Sequence, residues 1–237
     1  MLASIDVGNS QVKIGLFQED KLYKVEKVES STILSFLQQN NVSNLIISTV
    51  SDDNSLVSQL GNEYQNLIEL KPDTPVPLKI DYETPNTLGI DRVAAAIGAL
   101  KSFQGPLVVV DAGSCITCDF IDENNIFRGG TISPGLQMRL QAMHTFTAKL
   151  PLVKLKRPKQ LVGKSTNEAI LSGVVNGARQ EIAGLIRQNQ KEHPDLKVII
   201  CGGDALYFDK IIELNIFVLS NLVLEGLNAI LRFNGKS

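Results

Sequence analysis

Two short stretches bring an acidic residue, a glycine and a serine together at the end of an apolar run: Asp6-Val7-Gly8-Asn9-Ser10 and Asp111-Ala112-Gly113-Ser114. A glycine in such a hairpin lets the backbone approach a ligand closely and turn N–H groups toward it. The serine hydroxyls add donors suited to phosphate oxygens, and Lys13, just after the first turn, supplies a positive charge. Asp6 and Asp111 suit a cation travelling with phosphates. Either turn alone is an ordinary hairpin signal. A pair of them at equivalent places could clamp a polyphosphate from two sides.

The elements that must hold these turns read as two equivalent α/β halves. Strands are predicted at residues 2–6, 12–17 and 21–28, with turns at Gly8-Asn9-Ser10 and Glu19-Asp20. A helix follows over 32–39 with Ser31 as its cap, then a buried strand over 45–50, a helix over 52–60 and a strand over 67–70. Beyond Pro72, Pro75 and Pro77, an Ala-rich helix spans 90–103 and stops near Gly105-Pro106. The pattern then restarts with strands at 107–111, 116–121 and 126–132, helices at 135–144 and 167–190, a strand at 197–201 and a helix at 222–232. This is a repeat of whole lobes rather than of short units. We divide the chain at residues 1–105 and 106–237, with the last helix free to pack back on the first half.

Composition narrows the partners. The chain has 237 residues, 20% of them charged, and a net charge of -2, so it lacks the basic excess of a nucleic-acid or membrane-surface binder. No segment has the length of a transmembrane span, and Met1 leads straight into a strand, with no leader expected. Cys115 and Cys118 stand in a CITC run, yet the only histidines are His144 and His193, too few for a zinc site with them. On an extended strand the two thiols point to opposite faces. Both, with Cys201, are read as core or near-core residues of a protein in a reducing compartment, the cytoplasm.

Asp91 begins the 90–103 helix, whose positive N-terminal end favours a carboxylate able to accept a proton. A bare helix-end carboxylate would look the same. Arg92 beside it could grip a substrate carboxylate or simply pair with Asp91. The run Gly129-Gly130-Thr131-Ile132-Ser133-Pro134-Gly135 serves close backbone packing or ligand approach. Ile170, Val174, Ala178, Ile182 and Leu185 form a helical stripe that is core or a dimer face.

Taken in order, DVGNSxxK at the start, LGIDR at 88–92, the DAGS turn, GGxIxPG at 129–135 and GGD at 202–204 resemble the type III pantothenate kinases across essentially the whole chain. The resemblance implies a duplicated actin-like ATPase (ribonuclease H-like) fold, shared with sugar and acetate kinases, with a nucleotide cleft between two lobes. It implies phosphorylation of pantothenate by ATP, the first step of coenzyme A synthesis. On this resemblance Asp6, Val7, Gly8, Asn9, Ser10, Gln11, Val12 and Lys13 would hold the phosphates of ATP, with Ser114 contacting it from the second turn. Asp91 would be the general base, and Tyr82, Gly89, Ile90, Asp91 and Arg92 would line the pantothenate site. Asp111 would bind a monovalent cation, potassium or ammonium, and Asp6 would meet Mg2+ through the phosphates. Gly202, Gly203 and Asp204 would lie near the adenosine. Thr166 would reach substrate across the interface of a homodimer.

The sequence departs from the family pattern where Ser114-Cys115 replaces Thr-Ala, and where Ile90 replaces the alanine before the base. Neither change removes a reacting group, though Ile90 narrows the space for pantothenate. Two other readings stay open: a non-catalytic regulator on the same fold, and a kinase for a different small molecule.

Overall fold

A computed structural model describes residues 1–8, 11–49, 54–208 and 216–235. These form two compact units, one from the described residues of 1–104, 125–128 and 221–237, the other from those of 105–124 and 129–220.

The first unit is built on β1 (Leu2–Val7), β2 (Val12–Gln18), β3 (Lys21–Val28), β4 (Asn44–Thr49) and β5 (Leu67–Glu69), in the order β3-β2-β1-β4-β5. β1 pairs antiparallel with β2 and parallel with β4. Ala3 and Ile5 on one face of β1 join Ile14, Leu45 and Ile47 in a core closed by α1 (Ile33–Gln39) and Leu60 of α2 (Ser55–Glu63). Ser31 is not a cap: it lies in a 3-10 turn over Ser30–Thr32, and Thr32 precedes α1 without capping it, its hydroxyl donating back to the Glu29 carbonyl at 2.9 Å. The expected strand end at Val50 and helix start at Asp52 fall outside the described residues.

The opposite face of this sheet meets α6 (Leu222–Phe233), which in turn packs against α3 (Ile90–Leu100). These two helices touch backbone to backbone, since a Cβ on Gly98 would overlap the Leu222 carbonyl oxygen and one on Gly226 that of Ala94. Nothing larger than glycine fits the crossing. α3 is accordingly apolar nearly all round, with Val93 through Ala99 buried. A short strand absent from the sequence reading, β6 (Lys79–Ile80), pairs with Ile126 and Phe127 at the start of β9 (Ile126–Pro134).

The second unit repeats the plan. With β7 (Leu107–Ala112), β8 (Cys115–Ile121), β10 (Lys197–Cys201) and β11 (Ile216–Val218), its strands run β11-β10-β7-β8-β9, the same order as β5-β4-β1-β2-β3. β7 is antiparallel to β8 and parallel to β10. Its core gathers around α4 (Leu136–Thr145) and α5 (Thr166–Glu192), where Ile170, Val174, Ala178 and Ile182 are all buried. The α5 stripe is therefore core. Cys118 is buried, and burial pushes its thiol up to about 12, whereas Cys115 is exposed rather than core or near-core. Strand geometry sends the two to opposite faces.

Candidate active site

Strand register assembles the first group of polar residues. Asp6 lies opposite Lys13 on β2 and Ser48 on β4, so the three side chains form one row across three adjacent strands. The row sits where the parallel strands β1 and β4 end, the customary place for ligands in α/β sheets. Burial raises the Asp6 carboxyl from 3.8 to about 6, the Lys13 ammonium pulls it back, and the Asp91 charge raises it further. Asp6, Lys13 and Asp91 are thus one electrostatic group. The Gly8 N–H donates to the Gln11 carbonyl at 3.2 Å, closing the hairpin instead of facing a ligand. Val12 is buried in the core, leaving only its backbone for the site, and Asn9 and Ser10 lie outside the described residues.

Asp91 occupies the first turn of α3, with Gly89 as the residue before the helix. Its Oδ1 accepts the Arg92 backbone N–H at 2.9 Å, and a Cβ on Gly89 would come within 2.6 Å of that oxygen. Glycine therefore keeps the carboxylate's flank open. Arg92 is only 6% exposed, unusual for an arginine, because its guanidinium lies 5.9 Å from the Tyr82 ring and 5.8 Å from the Phe127 ring. The two rings meet edge to face at 6.3 Å. Ile90, next to Asp91 in sequence, is half-buried. Phe127, 0% exposed, is a site-building residue that the sequence reading missed, since it arrives on β9 through the pairing with β6.

In the second unit, Asp111 is the counterpart of Asp6, in register with Thr117 on β8 and Cys201 on β10. The Gly113 N–H donates to the Cys115 carbonyl at 2.9 Å, closing a hairpin one residue shorter than that at Gly8. Gly202 has φ +93, and a Cβ there would overlap both Asp111 Oδ1 and the Ala112 carbonyl oxygen. The Asp204 N–H bonds that same carbonyl at 2.9 Å, so the Gly202–Asp204 turn is seated on the end of β7. Burial raises the Asp204 carboxyl. The 129–135 run, in which Gly129 has φ +91, ends against the Gly113-Ser114 turn: the Gly135 N–H bonds the Ser114 carbonyl at 3.1 Å, with no room for a Cβ on Gly135. Arg139 fixes the run's end through the Pro134 carbonyl at 2.7 Å and Glu181 at 2.7 Å. Thr166 is exposed at the first turn of α5, after Ser165, whose hydroxyl accepts the Glu168 N–H at 3.3 Å.

The structure therefore gathers Asp6, Lys13, Asp91, Arg92 and Tyr82 within one unit, and Asp111, Ser114 and Gly202–Asp204 within the other. Two sheets that share a five-strand order, the second extended by β6, each with an Asp near the end of the corresponding strand β1 or β7, define a protein of the actin-like ATPase and sugar-kinase fold. The activator of 2-hydroxyisocaproyl-CoA dehydratase from Clostridium difficile, solved with bound ADPNP, has this fold at TM-score 0.58 and 10% identity, over 99% of this chain and 95% of that one. More specifically, the chain belongs to the type III pantothenate kinase family, whose profile matches residues 2–188. The type III pantothenate kinase of Cytophaga hutchinsonii is 42% identical over 97% of this chain and 98% of its own length. A conserved Campylobacter jejuni protein assigned to the Baf family of transcriptional activators matches at TM-score 0.67 and 25% identity, over 99% of this chain and 100% of that one.

Proposed function

We propose that this protein transfers the γ-phosphoryl group of ATP to the primary hydroxyl of pantothenate, giving 4′-phosphopantothenate and ADP. The observation that carries the reading is Asp91, open on its Gly89 flank, near the Asp6–Lys13 pair and next to a buried Arg92 packed against the Tyr82 and Phe127 rings. Asp91 takes the hydroxyl proton as that oxygen attacks the γ-phosphorus and the bond to ADP breaks. Lys13 lies toward the phosphates, and Arg92, Tyr82, Gly89 and Ile90 line the pantothenate side. Ser114 meets ATP from the second hairpin, with Gly202, Gly203 and Asp204 toward the adenosine. Phosphoryl transfer asks mainly for position and charge neutralisation, which this set supplies.

Two cations fit the donors present. Asp111 beside the Cβ-free Gly202 offers hard oxygens, suited to potassium or ammonium. Asp6 would hold Mg2+ together with the phosphates, and that ion would supply neutralisation of their charge. No group of three or more His, Cys, Asp or Glu that could hold a metal ion stands together among the described residues. No described helix is long and apolar enough to cross a membrane, and the three cysteines are unbridged, which suits the reducing cytoplasm.

A homodimer is supported by apolar side chains left uncovered shortly before Thr166 in the chain, Leu161 and Val162, each 75% exposed. Sedimentation should give a mass near twice 25.9 kDa, and a monomer at micromolar concentration would overturn this. The reaction itself is tested by supplying pantothenate, ATP and Mg2+ with and without potassium. Potassium-stimulated 4′-phosphopantothenate is the expected product. Absence of turnover with ATP still bound would favour the regulatory reading, to which the Campylobacter jejuni neighbour lends support.

A further inference from the structure

Ser48 is 1% exposed, and its Oγ has no hydrogen-bond partner. A buried hydroxyl without a partner costs stability, and native structures keep few of them. Ser4, on the same face of β1 two residues before Asp6, has a second such oxygen. An alanine at position 48 would avoid the cost without a change of shape, so another use for the hydroxyl is to be sought.

Register identifies it. Ser48 is the β4 partner of Asp6, so the two side chains leave neighbouring strands on one face, about 4.8 Å apart at the backbone. Directly opposite side chains on neighbouring strands are close enough to interact. We infer that Ser48 is a positioning residue, whose hydroxyl holds the Asp6 carboxylate oriented toward the phosphates of ATP. The inference rests on the proposed role of Asp6 in binding those phosphates.

The other groups facing Asp6 do not replace this donor. Lys13 attracts the carboxylate from β2, and Asp91 repels it from α3. On α6, which covers this face, Glu225 pairs with Lys101 at 3.9 Å and Arg232 with Asp20 at 3.2 Å. The duplicated unit offers a contrast: the corresponding partner of Asp111 is Cys201, whose thiol is a weak donor. Only the Asp6 side of the repeat carries a hydroxyl at this place.

The test measures binding of a non-hydrolysable ATP analogue with Mg2+, alongside thermal unfolding without nucleotide, for Ser48→Ala, Ser48→Cys and Ser48→Thr. Ser48→Ala should unfold no earlier than the parent, yet bind the analogue about 10-fold more weakly. In turnover the KM for ATP should rise by the same factor, with the KM for pantothenate unchanged. Ser48→Cys, of similar shape but poor as a donor, should behave like Ser48→Ala, and Ser48→Thr should restore binding. Analogue affinity within two-fold of the parent in Ser48→Ala would overturn the inference. Asp6→Asn separates the two levels: weakened binding there, with Ser48→Ala normal, sinks the Ser48 role alone. Normal binding in Asp6→Asn sinks both readings.

Discussion

Asp91→Asn is expected to lower kcat for pantothenate phosphorylation by about 10²- to 10⁴-fold, the usual range for a lost general base. The amide keeps an oxygen where Oδ1 now accepts the Arg92 N–H at 2.9 Å, so the first turn of α3 should hold. Loss of a carboxylate there costs about 0.3–1 kcal/mol of helix-end stabilisation, small beside the kinetic effect. Nucleotide affinity should not fall, because the Asp91 charge opposes ionisation of Asp6. The signature is thus a collapse of kcat with ATP binding equal or tighter, read by single-turnover kinetics and calorimetry. More than a tenth of parental kcat would place the base elsewhere. Loss of ATP binding would move Asp91 into the nucleotide site.

Asp91 also shows how far residue types alone reach. Its place at a helix start was legible, because an Ala-rich run after Gly89 announces a helix and its first turn. The two Asp-bearing hairpins were legible for a similar reason, since glycine and asparagine punctuate strands. What those signals do not carry is pairing. Ser48 lay hidden inside an apolar run, and only the β1–β4 register sets it beside Asp6. Phe127 is far from Arg92 in the chain, and the two-residue β6 that brings its strand over has no periodicity to read. The Gly8 and Gly113 N–H groups bond within their own hairpins, a detail that the residue types alone do not announce. For Ser48 and Phe127 the missing information is tertiary partnership rather than local propensity.

Asp6→Asn should move stability and activity in opposite directions. In the folded protein Asp6 keeps its proton up to about pH 6, while the unfolded chain releases it near 3.8. Between those values the native state binds more protons, so stability falls as pH rises through the window. The full penalty, present above about pH 6, is about 3 kcal/mol at the usual 1.36 kcal/mol per pKa unit. An asparagine of the same shape carries no charge to desolvate. In chelator and without nucleotide, Asp6→Asn should therefore be more stable than the parent at pH 8 by up to about 3 kcal/mol, a rise in Tm of about 6–12 °C for a chain of this size. The advantage should shrink through pH 6 and vanish below about pH 4, where both forms of Asp6 are protonated. ATP turnover at pH 8 should nevertheless be lost, since phosphates and their cation meet no carboxylate. Equal unfolding temperatures at pH 8 would mean that water reaches Asp6 freely and that its burial exacts nothing. The expected result instead makes Asp6 a charge kept at the strand end against the preference of the fold, which is the condition for a strong response when a cation and phosphates arrive.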